Sequence, residues 1–453
     1  MGLGLHGGGV AVVKWLVKHD AQVTLTDLKT KKELKASLDR LKGLKVNYVL
    51  GRHRASDFSD ADLIVQNPGV PRESKYLKIA KNKGVLIEND ASLFFKHCPA
   101  SIIGVTGTRG KSTTSSLIYQ LLRRSAKKVW LAGLPQKPML EILDEVRADD
   151  LVVLELSSWQ LEIIGQFGLA PQIGVITNIY PDHLNRYSSM SEYIAAKRNM
   201  VLWQTGHNFS ILNLDNPETK KLGKLVTAQR LWFSKKQFKE ENGVFVLGGK
   251  IYFRINGRQK SLIKISEIAL KGDHNLENVL AALAVAGLYR VALTDIKLTL
   301  KEFSGLPGRF ETIRIKDGIR YVNDTTATTP DGTMAALKAL TIGKKNIILI
   351  AGGASKNIPQ SKYQDLAKLI KKKCRAVVLF SGDGGQPIKR ELEKLSFKPL
   401  VYDVNTMSEA LGLANGFARA GSAVVLSPAS ASFGMFINEF DRGSQFVELV
   451  KKL

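Results

Sequence analysis

Short apolar runs alternate with amphipathic helical stretches along almost the whole chain, the pattern of parallel strands covered by helices. In the last third, the runs at 319–322, 346–351, 376–380, 400–404 and 423–426 read as strands, most of them followed by a helix-compatible segment. They predict a doubly wound unit of its own. The same alternation runs from 102 to 214 and then changes at 244–265, where Gly248-Gly249 and Asn256-Gly257 punctuate short strand-like runs and predict hairpins. Turn residues interrupt the pattern near Cys98-Pro99 and at Gly305-Leu306-Pro307-Gly308. For 453 residues, three α/β domains are expected, at 1–97, 98–306 and 307–453.

Composition narrows the class. With 44% hydrophobic and 24% charged residues the chain has material for several cores and is not disordered. The net charge of +25 raises the question of nucleic acid or membrane binding. The excess is scattered in short clusters, such as Lys29, Lys31 and Lys32 or 371–373, without a basic block interleaved with aromatics. A solvated surface and anionic small-molecule substrates are expected, with no nucleic acid partner. Cys98 and Cys374, the two cysteines, stand far apart and suggest neither a disulfide framework nor a metal knuckle. No apolar run approaches the ~18 residues of a membrane span and no signal segment opens the chain. A cytoplasmic monomer is the expectation.

The strongest chemical signal is Gly104-Val105-Thr106-Gly107-Thr108-Arg109-Gly110-Lys111-Ser112-Thr113-Thr114, between the apolar run Ile102-Ile103 and a helix-like stretch from Ser116. Strand, glycine loop and helix start are what a triphosphate cradle requires. Glycines let backbone N–H groups converge on phosphate oxygens, the helix N-terminus favours the anion, Lys111 reaches the outer phosphates and a hydroxyl such as that of Ser112 can ligate Mg²⁺. Position 105 is Val and the nearest glycines are Gly104 and Gly107, so the loop is a variant of the general spacing. Glu155 follows the apolar strand 151–154, and a carboxylate at such a strand end can hold Mg²⁺. Asn275 and Asn278, three apart on one helix face, can offer amides to a nucleotide base or serve as helix caps.

Near the amino terminus, Gly2-Leu3-Gly4-Leu5-His6-Gly7 has the G-x-G-x-x-G spacing, with Asp27 closing the strand-like 22–26. Alone this is a weak dinucleotide signal, and it keeps an NAD-dependent dehydrogenase as an alternative that leaves 107–114 and Glu155 unexplained. The motif requires a strand before its first glycine, and the sequence starts at Met1. Residues upstream are therefore expected to be missing, leaving this sheet without its central first strand.

The stretch Gly107-Thr108-Arg109-Gly110-Lys111-Ser112-Thr113 resembles the ATP loop of the Mur ligases, with Arg109 in place of their usual Asn. Further matches follow in chain order: Leu154-Glu155-Leu156-Ser157-Ser158-Trp159-Gln160-Leu161, Thr177-Asn178-Ile179-Tyr180-Pro181-Asp182-His183, Gly272-Asp273-His274-Asn275-Leu276-Glu277-Asn278, and Gly305-Leu306-Pro307-Gly308-Arg309-Phe310-Glu311. The Ser-Ser-aromatic-Gln-Leu form of the second, with Leu426-Ser427-Pro428-Ala429-Ser430-Ala431-Ser432, is similar to the D-glutamate-adding branch of that family.

The resemblance implies a Rossmann-like N-terminal domain, a central P-loop ATPase-like mononucleotide-binding domain and a C-terminal Rossmann-like domain, binding a UDP moiety, ATP and the incoming amino acid respectively. It implies ATP-dependent amide-bond formation in peptidoglycan precursor synthesis, joining D-glutamate to UDP-N-acetylmuramoyl-L-alanine through an acyl phosphate. Lys111, Glu155, His183 and Lys197 become catalytic. Ser112, Glu155, His183 and Lys197 hold two Mg²⁺ ions, Lys197 as a CO₂-derived carbamate, although by composition alone it reads as a solvated helix lysine. Asn275, Asn278, Arg309 and Asp324 join 107–113 as nucleotide contacts. Leu5, His6, Asp27, Asn67, Gly69, Ser157 and Gln160 contact the UDP substrate, and Lys356 and Ser432 receive the amino-acid carboxylates. Thr326 and Ile437 stand where lysines are common in the family, and Glu439 where an aromatic is. Addition of L-glutamate or another amino acid stays open as the alternative.

Overall fold

The central strands of the larger parallel sheets are buried on both faces, because helices cover both. In Leu151–Glu155, Val152 and Leu154 point into a layer with Tyr193 and Met200, while Leu151 and Val153 pack with Leu117, Leu121 and Val279 on the other side. Such two-residue alternation is what a strand imposes. The structure, a computed structural model, describes all residues except 6, 125–127, 135–136, 183–185, 241, 344, 357 and 433. The chain divides into two compact units, Met1–Phe303 and Ser304–Leu453.

In the first unit the chain begins with two parallel strand pairs, β1 (Val23–Asp27) with β2 (Val46–Leu50) and β3 (Leu63–Val65) with β4 (Leu86–Glu88). The first helix, α1 (Gly8–Lys18), follows the glycine loop. Residues 1 and 2 lie between the pairs: Gly2 N–H donates to Thr26 O at 2.8 Å, the Met1 amine to Val65 O at 2.9 Å, and Asn67 N–H to Met1 O at 2.9 Å. A cavity of about 720 Å³ adjoins them, lined by residues of both inner strands and of α1.

A nine-stranded sheet follows. In chain order its strands are β5 (Ser101–Thr106), β6 (Val129–Ala132), β7 (Leu151–Glu155), β8 (Ile173–Ile176), β9 (Phe209–Asn213), β10 (Gln229–Ser234), β11 (Gly243–Leu247), β12 (Lys250–Ile255) and β13 (Arg258–Lys264). Their spatial order is β13-β12-β11-β10-β9-β8-β5-β7-β6. All neighbours are parallel except β11–β12 and β12–β13, the antiparallel hairpins expected at 244–265. Four helices frame the sheet's chemistry: α2 (Lys111–Leu122), α3 (Ser158–Gln166), α4 (Met190–Leu202) and α5 (Asp273–Leu288). From Asn278 to Ala286 every residue of α5 is buried, so after a polar first turn this helix is apolar all round and runs through the interior.

The second unit holds a six-stranded sheet built from β14 (Glu311–Lys316), β15 (Ile319–Asn323), β16 (Ile347–Gly352), β17 (Cys374–Phe380), β18 (Leu400–Val404) and β19 (Ala423–Leu426). The order is β14-β15-β19-β16-β17-β18, parallel but for the β14–β15 hairpin. It ends on α6 (Glu439–Lys452). The five apolar runs of the last third are all strands here. Glu311–Lys316, with charges at 311, 314 and 316 and no run of apolar residues, gave no such signal.

Because Leu154 is fully buried directly before Glu155, Leu154→Ala should cost about 2–5 kcal/mol and displace the strand end. A lowered thermal unfolding midpoint, with weakened nucleotide binding in calorimetry, checks this.

Candidate functional site

Three adjacent strands, β8, β5 and β7, end side by side, and in a parallel sheet the carboxyl ends are where ligands bind. The phosphate loop leaves β5 and enters α2. Its curvature depends on two glycines. A Cβ on Gly107 would overlap Thr177 Oγ1, and one on Gly110, at φ +81°, would overlap Asn278 Oδ1. Backbone and side-chain bonds from 177–180 hold the loop from one side. Thr108 N–H donates to Asn178 O and Arg109 N–H to Asn178 Oδ1, both at 2.9 Å, while Thr177 Oγ1 donates to Arg109 O at 2.6 Å. Thr108 Oγ1 accepts from Tyr180 N–H at 3.0 Å. Ser112, Thr113 and Thr114 are buried in the first turn of α2, and Lys111 Nζ lies 3.0 Å from Gly107 O and 3.3 Å from Thr108 O.

Asn278 reaches the same loop from α5, accepting from Thr114 Oγ1 at 3.3 Å while its amide donates to Asn275 Oδ1 at 3.2 Å. The Asn275 amide donates to Lys271 O at 2.8 Å. Asn278 thus braces the start of the helix that follows the loop, and Asn275 holds the Asn278 amide.

Lys197 is the least expected feature. It is 2% exposed on α4, with Nζ 2.9 Å from Gly107 O and 3.4 Å from Thr106 Oγ1. Burial, and next the nearby Lys111 charge, hold its amine well below the ordinary lysine range, against the opposing pull of Asp182 and Glu155. Glu155 brings a buried Oε2 that has no hydrogen-bond partner among the described residues. Mg²⁺ takes oxygen ligands, and this unpartnered carboxylate oxygen at a strand end, with the Ser112 hydroxyl at the helix start, fits that preference. Among the described residues no three His, Cys, Asp or Glu side chains come together. His183 lies outside the described residues.

In the N-terminal part, Asp27 is buried; its Oδ2 accepts from Leu3 N–H at 2.7 Å and its Oδ1 from Lys29 N–H at 2.9 Å. Its carboxylate therefore fixes the glycine loop that contains Leu5. His6 lies outside the described residues. Asn67 Oδ1 accepts from Gly69 N–H at 3.1 Å, closing a tight turn beside Gly2. Ser157 and Gln160 form a capping box at the start of α3, and Gln160 Nε2 donates to both Asp90 oxygens at 3.0 and 3.1 Å. That capping role follows from the Ser-x-x-Gln spacing in the sequence.

Within the second unit, Asp324 closes β15. Burial pushes its carboxyl up to about 7, against the hydrogen bonds from Ser427 Oγ at 2.7 Å and Phe310 N–H at 3.1 Å and the Arg309 charge. Lys356 is exposed, with Nζ 2.6 Å from Thr328 Oγ1, and Ser432 is buried with an Oγ that has no hydrogen-bond partner among the described residues. Arg442, unremarked in the sequence, is fully buried. It donates to Thr325 O at 2.8 Å, Thr325 Oγ1 at 3.1 Å and Ser430 O at 3.3 Å, and burial lowers its guanidinium to about 10.

Comparison with known proteins decides what these loops belong to. Three family models match in order: the Mur ligase MurD-like N-terminal domain at 1–88, the Mur ligase middle domain at 105–286 and the Mur ligase glutamate ligase domain at 308–430. The UDP-N-acetylmuramoylalanine–D-glutamate ligase of Roseiflexus sp. (strain RS-1) is 40% identical over 464 aligned positions, covering 100% of this chain and 97% of the relative. The chain belongs to the Mur ligase family. It is accordingly an ATP-dependent, amide-bond-forming enzyme of three-domain α/β architecture. A second Mur ligase relative, named for the same D-glutamate addition, comes from Borreliella afzelii (strain PKo) at 36% identity, covering 100% of this chain and 97% of its own.

Solved Mur ligases share the fold at lower identity. The UDP-N-acetylmuramate-alanine ligase MurC of Thermotoga maritima superposes with TM-score 0.63 at 19% identity, over 100% of this chain and 98% of its own. MurF of Thermotoga maritima, solved in complex with ADP, gives 0.56 at 16%, over 87% and 98%. No helix among the described residues is long and apolar enough to cross a membrane.

Two outcomes follow. Gly110→Ala places a methyl against Asn278 at a positive φ, and should abolish ADP binding by calorimetry while leaving the far-ultraviolet spectrum unchanged. Asp324, ordinarily near 3.8 and raised to about 7, binds a proton in the folded protein that the unfolded chain has lost. Stability should therefore fall as pH rises from about 4 to about 7 and level off above. Urea midpoints against pH check this, and Asp324→Asn should remove that part of the slope.

Proposed function

We propose that this Mur ligase adds D-glutamate to UDP-N-acetylmuramoyl-L-alanine in the cytoplasm, acting as a monomer with ATP and two Mg²⁺ ions. Full-length identity of 34–40% to relatives named for that reaction supports the substrate assignment. The observation that carries the chemistry is the Lys197 amine, buried under the phosphate loop within electrostatic reach of Glu155. Burial disfavours the protonated amine, and the unprotonated amine is the form that attacks CO₂. A new N–C bond forms, a proton leaves the nitrogen, and the product is a carbamate whose oxygens suit Mg²⁺ better than the nitrogen they replace.

In this reading Lys111 and residues 107–113 hold the phosphates, with Arg109 shaping the turn through its N–H bond to Asn178. Glu155, Ser112, His183 and carbamylated Lys197 supply metal ligands, and bound Mg²⁺ would offset phosphate charge as the γ-phosphoryl group passes to the substrate carboxylate. The substrate carboxylate oxygen forms the new P–O bond and ADP leaves; the glutamate amine then attacks the acyl carbon, and phosphate departs. Positioning accounts for most of the rate. Asp27, Asn67 and Gly69 shape the wall for the UDP moiety, with Leu5 and His6 on the glycine loop. Ser157 and Gln160 fix the helix behind Glu155. Lys356, beside Thr328, and Ser432 receive the carboxylates of the incoming amino acid, the former through a charge-assisted pair. Asn275 and Asn278 keep the nucleotide loop in shape, and Arg309 and Asp324 are carried as nucleotide contacts.

Phosphate release from ATP and Mg²⁺ with UDP-N-acetylmuramoyl-L-alanine tests the assignment, with D-glutamate, L-glutamate or neither added. Release dependent on D-glutamate is expected, and Lys111→Ala should lower it by on the order of 10²–10³-fold. Release dependent on L-glutamate alone would overturn the amino-acid assignment.

A further inference from the structure

Arg186 belongs to none of the groups assigned above, yet it is tied to three of them. Its side chain is 11% exposed. Nη1 donates to Pro68 O at 3.2 Å and to Val70 O at 3.1 Å, so one guanidinium nitrogen spans the turn that follows Asn67. That turn is otherwise closed by its own bonds, Gly69 N–H to Asn67 Oδ1 at 3.1 Å and Val70 N–H to Asn67 O at 2.9 Å, and Asn67 N–H holds Met1 O. The same guanidinium lies over the Trp159 ring, 4.6 Å from its centroid, and 3.6 Å from Glu162. Both partners sit on α3, whose cap Ser157 comes two residues after Glu155. Glu162 also pairs with Arg72 at 3.0 Å, on the far side of the turn. The next residue, Tyr187, is buried and packs its ring 5.3 Å from that of Tyr193, one helical turn before Lys197 on α4.

We propose that Arg186 is a positioning residue for the UDP substrate: it sets the 67–70 turn, and with it the glycine loop, at a fixed distance from the strand end that carries Glu155. This rests on the assignment of that turn to the UDP-substrate wall. Two carbonyls, an aromatic face and a carboxylate are met together by a planar guanidinium and not by an ammonium, which can stack on the ring or donate to the turn but lacks the fork to do both. Removal of the guanidinium frees the turn without touching the phosphate loop, whose bonds come from 177–180 and Asn278.

Calorimetric titrations of the wild type, Arg186→Met, Arg186→Lys and Glu162→Gln, with UDP-N-acetylmuramoyl-L-alanine and separately with Mg²⁺-ADP, test this alongside steady-state KM values. Arg186→Met should weaken the UDP substrate at least tenfold in Kd and KM while ADP stays within twofold. Arg186→Lys should fall between, and Glu162→Gln, which keeps both carbonyl bonds, should shift the UDP substrate less than threefold. Equal weakening of both ligands, or of neither, overturns the inference and leaves the ligase reading standing. A wild type that fails to bind the UDP substrate overturns both. Should Arg186→Met not fold, the lysine variant decides by the same ratio: a Kd for the UDP substrate equal to wild type refutes the role.

Discussion

The Lys197 amine is buried under the phosphate loop, and the geometry of the site follows from what that burial demands. An ammonium there would face a desolvation penalty of several kcal/mol, with no carboxylate hydrogen-bonded to it among the described residues. Burial holds the amine well below the ordinary lysine range, and its N–H groups go to Gly107 O and Thr106 Oγ1. The carbonyl at the entry of the loop is thereby held from below, while Thr177 and Asn178 hold the next two residues from the side. Gly107 has to be glycine for Thr177 to come that close. A lysine side chain, a threonine pair and a missing Cβ thus fix one bend, and the N–H groups of the first turn of α2 are aimed by it.

Buried cations recur as clamps on carbonyls. Arg442 binds Thr325 O and Ser430 O in the second unit, and Arg186 binds Pro68 O and Val70 O in the first. In each case the cation joins a turn to a neighbouring element, where a neutral donor would reach one carbonyl at a time. Part of the positive excess of this chain is therefore structural and interior. The remainder is spread over the surface, in pairs such as Lys35–Asp39 and Lys362–Asp331 that contribute little each.

Legibility in the sequence followed periodicity. β16 and β19 are apolar at every position and were evident, and the hairpin glycines marked β11 to β13. β14 was not, since it is an edge strand whose Ile313 and Ile315 stand between polar residues and form no apolar run. The glycine loop and the strand-end glutamate were legible because their spacing is local. Lys197 was not legible by composition, since a lysine on an amphipathic helix ordinarily faces water, and only the family resemblance drew attention to it. Arg186 and Arg442 act on carbonyls more than a hundred residues away, and no spacing rule reports such a contact.

Motif residues and ligand-facing atoms are not the same set. Asp27, Ser157, Gln160 and Asn278 all lie in motifs, and each has its side-chain oxygen engaged in holding a loop or a helix start. Such residues aim backbone groups and neighbours at a ligand. The converse signal is a buried polar atom that the scaffold leaves unsatisfied, at a cost of about 1–3 kcal/mol. Glu88 Oε2 is one, but its carboxylate is already paired with Lys96 through the other oxygen. Among the described residues Glu155 Oε2 and Ser432 Oγ have no such compensation, and each stands beside the carboxyl end of a parallel sheet, in a loop that the proposed reading gives to a ligand. A carboxylate oxygen suits a hard cation, and a hydroxyl can donate to a carboxylate. On this argument the polar atoms that the fold does not use for itself are the physical ground for placing metal at one and amino acid at the other.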